Sequence, residues 1–387
     1  MKYDMKEPVR LSLFYFLLYA TFASWTSLFN VHLERIGFSG LQIGTINAVY
    51  ISLGTFVVPL LGILADRFGG NRVLLLLTFF SAITILIVGQ TTSYGLILLL
   101  IFFMSFLQQP MGSVIDGMTI DYVRNGNGFS YGQYRLWGSA GYAVGALIIG
   151  FLAQNNTFII FSIAAILFGI IFLVNLATMP PRPVKGWGLV NYQSLGIFFR
   201  NRNLFVLLVL LFFFGISTAP VQSFINLYFA ELGCGNRLIG WAFFIQASFE
   251  IPFFLFGVRM VRKRRAEWVI VVAMAVTILR MVAYGYIRNP YLALPVGIFH
   301  GFTMSIFLVG VVEYVQSHTP SHLRTTGQAI FWAFYFGAGM MAGNIWVGYL
   351  IDRVGMLRTM HVEAACSCLV LLAVLFFFRR SAIASGS

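Results

Sequence analysis

The chain alternates between long apolar runs and short polar segments along its whole length. Each run holds roughly 18 residues or more and can therefore cross a hydrocarbon core of roughly 30 Å as a helix. The runs are continuous rather than alternating with period two, which favours helices over a membrane barrel. The pattern predicts twelve spans, at 10–33, 41–65, 73–92, 94–119, 131–153, 157–179, 203–229, 238–260, 267–287, 291–315, 325–350 and 360–378.

Composition supports the same class of protein. Hydrophobic residues make up 59% of the 387 positions and charged residues only 10%, which lies far outside soluble globular usage. The first span follows "MKYDMKEPVR" and has no small-residue cleavage site behind it, so we expect a retained helix rather than a signal peptide. The sequence therefore predicts an all-α polytopic protein whose partner is the lipid bilayer.

The net charge of +13 is explained by topology. With the N-terminus inside, eighteen of the basic residues fall on the inner face and five on the outer one, which is the positive-inside bias. We therefore expect no nucleic acid partner, and we expect both termini in the cytoplasm of a bacterial-type inner (plasma) membrane. The inner set is Lys2, Lys6, Arg10, Arg67, Arg72, Arg124, Arg182, Lys185, Arg200, Arg202, Arg259, Arg262, Lys263, Arg264, Arg265, Arg324, Arg379 and Arg380.

The residue types needed for catalysis are not arranged for it. The cysteines Cys234, Cys366 and Cys368 form no CxxC pair and have no histidine at metal-ligand spacing, so we interpret them as packing residues. The sequence contains no phosphate loop, metal cluster or nucleophile–base arrangement. We predict that the protein is not an enzyme and uses neither a cofactor nor a metal.

An internal repeat organises the chain. "LFNVHLERIGFSGLQIG" (28–44) aligns without gaps to "FINLYFAELGCGNRLIG" (224–240), an offset of 196 residues that matches Asn30 to Asn226 and Gly37 to Gly233. Two six-helix halves with parallel topology follow. We predict an N-terminal bundle at 1–178, a cytoplasmic linker at 179–203 and a C-terminal bundle at 204–387.

The loop "GILADRFGGNR" (62–72) resembles the signature loop of the major facilitator superfamily, and the repeat covers the whole chain as that fold requires. Gly62 allows two helices to approach closely. Asp66 is suited to cap a helix or to pair with Arg67 or Arg72. We expect Gly62, Asp66 and Arg67 to form a conformational-switch loop; the alternative is an ordinary charged loop.

A finer resemblance rests on three segments, "YGQYRLWGSAGYAVG", "ASFEIPFFLFGVRMVRKR" and "FHGFTMSIFLVGVVEYVQSHTPSHLRTTGQA". Together they resemble the branch that holds the bacterial phenylpropionate permease and, more distantly, lactose permease and the nucleoside–proton symporters. This resemblance implies proton-coupled import of a small organic solute.

Charges inside the first half are expensive in hydrocarbon and persist when paired or when they line a wet cavity. Asp116 lies about two turns before span four ends, and Arg135 lies about one turn into span five, so a hairpin brings both to similar depth. The sequence leaves two interpretations of Asp116 and Arg135 open, a structural salt bridge and a substrate site. By resemblance, Arg135 matches the substrate-binding arginine of lactose permease. Asp116 matches the acidic partner of that arginine to within about one position in the alignment. Tyr142 stands where that family has the aromatic ring that stacks on the sugar. Asp121 is interpreted as structural.

In the second half Glu250, Arg280 and His300 match, by resemblance, the charged network that couples proton and substrate. His300 is interpreted as a relay between the substrate and Glu250 or Arg280, or else as a satisfied polar core residue. Thr303 stands where lactose permease carries a proton-binding glutamate, so lactose is disfavoured as the substrate. The sequence leaves Glu250 and Asp116 as the candidates for proton coupling. Glu313 is expected to pair with loop arginines such as Arg324.

Three functions follow from these features. The first is a proton symporter that imports an aromatic acid, sugar or nucleoside by alternating access and works as a monomer. The second is an efflux antiporter of the same fold, and the third is a membrane sensor that transports nothing. A sensor needs an added soluble domain, for which 387 residues leave no room.

The predicted topology is testable by labelling single cysteines in a variant that lacks the three native ones. A cysteine at Gly235 is expected to react with an impermeant thiol reagent in intact cells, and a cysteine at Ser387 only after lysis. Labelling of the Ser387 position from outside intact cells contradicts the assignment.

Overall fold

The fold is known here from a computed structural model, which describes residues 6–124, 126, 129–154, 156–178, 201–319 and 323–385. Nearly all of this part of the chain is helical. The helices are α1 Lys6–Arg35, α2 Gly40–Phe68, α3 Gly70–Val88, α4 Tyr94–Arg124, α5 Tyr131–Leu152, α6 Ile159–Thr178, α7 Arg202–Ser223, α8 Ile225–Glu231, α9 Asn236–Lys263, α10 Ala266–Tyr286, α11 Pro290–Val296, α12 Ile298–Gly301, α13 Phe307–Ser317, α14 Arg324–Trp332, α15 Met340–Val354 and α16 Met356–Ser385. Two π-helical segments, Phe302–Ile306 and Ala333–Gly339, join α12 to α13 and α14 to α15.

The predicted polytopic helical fold is confirmed. Within the described ranges, eleven helical stretches are long and apolar enough to cross a membrane. The remaining predicted span, 41–65, falls in α2, which is 29 residues long, so a count of twelve stays a prediction. Most of the predicted linker, at 179–200, lies outside the described residues, as does the side chain of Asp66.

The sequence repeat is visible as a repeated turn. Gly37 and Gly233, which align at the offset of 196 residues, both have positive φ, 94° and 77°. This left-handed conformation is readily adopted only by glycine. Each turn ends one helical segment, α1 or α8, and precedes the next, α2 or α9. The shared backbone geometry supports the internal duplication.

The chain forms two compact units, each assembled from separate segments. The first consists of Met1–Phe38, Val49–Leu189 and Cys234–Ser248, and the second of Ser39–Ala48, Val190–Gly233 and Phe249–Ser387. The predicted boundary between halves near residues 179–203 is a statement about sequence repeats and stays a prediction.

In the first unit α1 packs along α5 through small residues. A Cβ added to Gly145 of α5 would lie 2.7 Å from the carbonyl oxygen of Ala20, and one on Gly141 would collide with the backbone of Phe16. Glycines at this spacing let two helix backbones approach closely where lipid gives no hydrophobic drive. The close approach of α1 and α5 brings Tyr19 of α1 against Arg135 of α5.

The inner ends of α1, α3 and α6 meet around a buried arginine. Arg10 is 5% exposed and forms an ion pair with Glu7. Its Nη1 also donates to Asn71 Oδ1 at 3.2 Å and to the carbonyl of Thr178 at 3.1 Å. The Asn175 amide donates to the Asn71 carbonyl at 2.8 Å. A buried guanidinium with a carboxylate and two further acceptors is well compensated.

The second unit has an aromatic core where α7, α13 and the second π-helical segment meet. Phe214 and Tyr335 stack with ring centroids 6.1 Å apart, and Phe307 lies 5.0 Å from Tyr335. The buried Tyr335 hydroxyl is satisfied by Thr218 at 3.1 Å. This apolar packing, with its one polar contact, fixes α13 and therefore the segment that precedes it.

A carboxylate of the second unit closes the start of α2. Asp352, in the last turn of α15, accepts hydrogen bonds from the backbone N–H groups of Gly40 at 2.6 Å and Leu41 at 2.8 Å. The first N–H groups of a helix have no partner inside the helix, and the positive end of the helix dipole favours an anion there. Asp352 therefore acts as a remote cap for α2.

We predict that Asp352→Ala destabilises the protein, because the α2 N–H groups lose both acceptors. The expected loss in free energy of unfolding is about 1 kcal/mol, the range found for loss of a helix cap. Thermal unfolding of detergent-purified protein measures it. Asp352→Asn retains one acceptor oxygen and is the matched control, with a smaller loss expected; equal stability of wild type and Asp352→Ala contradicts the capping role.

Candidate functional site

In the first unit Asp116 of α4 is held by a tyrosine. The hydroxyl of Tyr15, on α1 and fully buried, donates to Asp116 Oδ1 at 2.5 Å. A hydroxyl bonded to an ionised carboxyl is a strong, short hydrogen bond. Asp116 therefore has a partner on a neighbouring helix, and that partner is neutral rather than cationic.

Arg135 of α5 is held by Tyr19, a second tyrosine of α1. Its guanidinium carbon lies 4.3 Å from the ring centroid of Tyr19, within the range of a cation–π contact. Gly138 makes room for this arrangement, since a Cβ there would lie 2.6 Å from Arg135 Nη1 and 2.9 Å from the Tyr19 ring.

The salt bridge considered for Asp116 and Arg135 is not formed. Among the residues that the structure describes, no ion pair joins the two within 4.0 Å, although they are near enough to interact electrostatically. The reason is local: each charge is already engaged by a tyrosine of α1. The two opposite charges are therefore close but separately held, which leaves both able to meet a third group.

The surroundings of this pair are mixed. A cavity of about 270 Å³ lies between α2, the start of α3 and α4, and both Asp116 and Asp121 line it together with Gly62. Tyr142 lies further along α5, with its hydroxyl 3.4 Å from Thr26 Oγ1. Trp137 is half-exposed and packs edge-on against Phe16, so the aromatic face at Arg135 is Tyr19 rather than Trp137.

In the second unit Glu250 and His300 are in direct contact. Glu250 Oε1 lies 3.5 Å from His300 Nε2, and the two side chains are 36% and 14% exposed. The helices that carry them are closely packed, because a Cβ on Gly301 would collide with the backbone of Phe249. Ser305 adds a hydrogen bond to the Glu250 carbonyl at 3.1 Å.

Arg280 of α10 does not touch Glu250 in an ion pair but binds a hydroxyl. Its Nη1 donates to Thr303 Oγ1 at 3.3 Å, and Thr303 in turn donates to the carbonyl of His300 at 3.1 Å. Thr303 belongs to the π-helical segment that follows His300 and Gly301. A π turn shifts the helical phase by one residue and is frequent at functional sites. Glu250, His300, Thr303 and Arg280 thus form one connected chain of contacts.

A third carboxyl, Glu363, lies inside a helix but is not among the residues predicted to exchange a proton, Glu250 and Asp116. Glu363 of α16 is fully buried, and neither of its carboxyl oxygens makes a hydrogen bond of good geometry in the part of the chain that the structure describes. The Trp346 side chain is its polar neighbour. The sequence contained the signal, since Glu363 falls inside the predicted span 360–378. The expected pairing of Glu313 with Arg324 is not found among the described ion pairs; Glu313 is exposed.

Other side chains play no part in these contacts. No group of three or more metal-ligating residues occurs within the described ranges. Burial raises the pKa of the Cys234 thiol, which lies in the loop before α9, to about 11, as expected for a packing cysteine rather than a reactive one. The chemistry available in the two units is therefore charge pairing, hydrogen bonding and proton exchange.

Charged side chains buried inside helices of membrane-spanning length are typical of polytopic membrane proteins that move ions or solutes. Comparison with known proteins gives the family: residues 9–362 match the MFS_1 like family, so the chain belongs to the major facilitator superfamily of transporters, as the signature loop predicts. It is a transporter and not an enzyme.

Individual relatives are distant but cover the whole chain. The maltose permease of Geobacillus stearothermophilus is 26% identical over 95% of this chain and 94% of its own length. The sucrose permease of Escherichia coli is also 26% identical, over 94% and 92%. The crystal structure of the nucleoside transporter NupG covers 97% of this chain and 99% of its own, at 20% identity and a TM-score of 0.87, and shares its fold.

We predict that Arg135→Lys weakens substrate binding although the charge is kept. A planar guanidinium donates two parallel hydrogen bonds and stacks on a ring, and an ammonium does neither. Equilibrium binding of the transported solute to purified protein measures the effect, expected at roughly tenfold or more. Tyr19→Phe keeps the ring under the cation and is the control; unchanged affinity of Arg135→Lys contradicts the bidentate role.

Proposed function

We propose that this transporter is a proton symporter that imports a small organic solute by alternating access. The relatives named above are permeases for maltose and sucrose and a nucleoside transporter, which supports a solute of the size of a sugar, nucleoside or aromatic acid. The protein works as a monomer in a bacterial-type inner membrane with both termini in the cytoplasm, in keeping with the distribution of its basic residues.

The observation that carries this proposal is the contact of Glu250 with His300 inside two membrane-spanning helices. The carboxylate and imidazole are 3.5 Å apart, and Arg280 is linked to the same histidine through Thr303. A carboxyl that exchanges its proton while its partners change position links proton movement to conformational change. In this proposal Glu250 takes the proton, and Arg280 and His300 bias its uptake and release.

The substrate-binding residues in this proposal are Asp116, Arg135 and Tyr142 of the first unit and, on the basis of the sequence alone, His300 of the second. Asp116 and Arg135 are of opposite sign, near one another and not ion-paired. A polar solute can therefore accept a hydrogen bond from Arg135 and donate one to Asp116. Tyr142 adds an aromatic face and a hydroxyl. The bidentate donor face of Arg135 suits vicinal hydroxyls as well as a carboxylate.

The switch in this proposal is the predicted conformational-switch loop, although its residues Gly62 and Arg67 lie inside the C-terminal part of α2, Gly40–Phe68. Gly62 lines the cavity beside Asp116, and Arg67 is exposed with its guanidinium carbon 5.4 Å from the ring of Phe68. Asp66 completes the predicted set, on the basis of the sequence alone. Contacts of this loop stabilise one conformation and break in the other.

Efflux by the same fold is the second candidate, and reconstituted vesicles separate the two. Wild-type protein is placed in vesicles with an imposed pH gradient and supplied with labelled maltose, sucrose, uridine or 3-phenylpropionate. Accumulation of one solute on the side with the higher pH supports symport. Movement of the solute against the proton flow supports antiport, and absence of gradient-driven flux for the whole panel counts against the proposal.

We predict that Glu250→Gln separates exchange from accumulation. The amide mimics the protonated carboxyl but cannot release a proton, so the loaded carrier reorients and the energetic coupling is lost. Counterflow of solute is expected to continue while uphill accumulation in the same vesicles falls to background.

Asp121→Asn is the matched control, since it makes the same chemical change at a carboxyl outside the proposed coupling group, and its accumulation is expected to stay above background. Accumulation at the wild-type level by Glu250→Gln contradicts the assignment and moves the proton site to Asp116 or to the buried Glu363.

A further inference from the structure

Three neighbouring side chains in the second unit carry buried nitrogen or oxygen atoms that lack a hydrogen-bond partner anywhere in the described part of the chain. They are Nε and Nη2 of Arg280, the hydroxyl of Tyr284 and Nδ1 of His300. The first two are always donors, the hydroxyl is able to donate, and the imidazole nitrogen donates in one tautomer or when charged. The Arg280 and Tyr284 side chains are near enough to interact with each other, but neither supplies an anion. The cluster therefore offers several donors and is short of acceptors.

The fold brings these atoms together. Tyr284 lies one turn after Arg280 on α10, and the guanidinium carbon is 5.6 Å from its ring centroid. The Thr303 hydroxyl binds Arg280 and the backbone of His300, so the π-helical segment joins the arginine to the histidine. Arg280 itself is only 2% exposed. Arg280 therefore lies close to Tyr284 and is joined through Thr303 to the backbone of His300.

A guanidinium buried in a low-dielectric setting without a counter-ion is strongly destabilising. Among the described ion pairs none contains Arg280, and its polar neighbours Thr303 and Tyr284 are neutral hydroxyls. Arg10 makes the contrast clear, because that equally buried arginine has Glu7 and two further acceptors. The positive charge of Arg280 calls for an anion that the described chain does not supply.

Glu250 is poorly suited to be that anion. Its carboxylate is on the other ring nitrogen of His300, Nε2, at 3.5 Å, and it is 36% exposed. Exposure decreases from Glu250 through His300 to Arg280, so a solute arriving from the Glu250 side meets the histidine first and the arginine last. A flat acceptor with two oxygens matches the guanidinium fork.

We propose that Arg280, with Tyr284 and His300, binds the carboxylate group of the transported solute, so that the substrate class is an organic monocarboxylate. This inference rests on the proposed function only in that the protein carries a small solute. It also explains the coupling in terms of charge. A proton on Glu250 neutralises the carboxylate beside His300, which otherwise repels the incoming anion. One proton and one carboxylate then cross as a neutral pair.

The smallest carboxylate tests the site without knowledge of the rest of the solute. Thermal unfolding of the purified full-length protein is followed against sodium formate, with equal sodium chloride as the inorganic anion and formamide as the neutral isostere. Formate is expected to raise the unfolding temperature of the wild type in a saturable manner, well above chloride, and formamide is expected to have no effect. Arg280→Gln is expected to weaken the apparent formate affinity roughly tenfold or more.

A second pair of variants keeps the test valid if Arg280→Gln does not fold. Thr303→Glu places a carboxylate beside the guanidinium and is expected to abolish the formate effect, whereas Thr303→Gln, of the same size and uncharged, is expected to retain it. The proposal is overturned if formate does not stabilise the wild type, if chloride stabilises it equally, or if Thr303→Glu and Thr303→Gln respond alike. Formate binding without proton-driven transport in vesicles refutes the proposed symport but not the anion site.

Discussion

Hydrocarbon offers no hydrogen-bond partner to a polar atom, and the rest of the structure depends on how the chain meets this constraint. The backbone meets it by being helical through the described ranges. Hydroxyls inside the helices meet it by bonding to carbonyls of the preceding turn, as Thr78 does to Leu74 at 2.8 Å and Thr277 to Ala273 at 2.8 Å. Charged groups need stronger partners, some on the same helix, as Glu7 is for Arg10, and some on another helix, as Tyr15 is for Asp116.

The partners come from helices that approach closely, and glycine makes the approach possible. Gly141 and Gly145 seat α1 on α5, which carries Tyr15 to Asp116 and Tyr19 to Arg135. Gly301 does the same for the contact that sets Glu250 beside His300. Small residues therefore control the chemistry indirectly, because they decide which helix faces meet and at what distance.

Much of the fold is predictable from the sequence, because apolar run length, basic-residue distribution and the repeat are all properties of single positions or fixed offsets. Depth within the membrane is predictable in the same way, and it identifies the candidate site residues Asp116, Arg135, Glu250, Arg280 and His300. Their partners were not predictable. The choice of Tyr15 and Tyr19 over a direct salt bridge depends on helix rotation, and the link from Arg280 to Thr303 depends on a π turn that no local propensity announces. Glu363 lies inside a predicted span, but no sequence motif distinguishes it as a candidate site residue.

The two units solve the same problem to different degrees. In the first unit a tyrosine of α1 engages each charge of the predicted site, and Arg10 has a nearly complete set of partners. In the second unit Arg280, His300 and Glu363 each keep buried polar atoms without a partner in the described structure. Unsatisfied buried groups are expensive, and a stable fold keeps them where ligands or protons satisfy them for part of a cycle. Both units hold buried polar atoms without a partner among the described residues, such as His32 Nε2 in the first. The difference lies in the charged groups, because Arg10 has a carboxylate partner whereas no described ion pair contains Arg280 or Glu363.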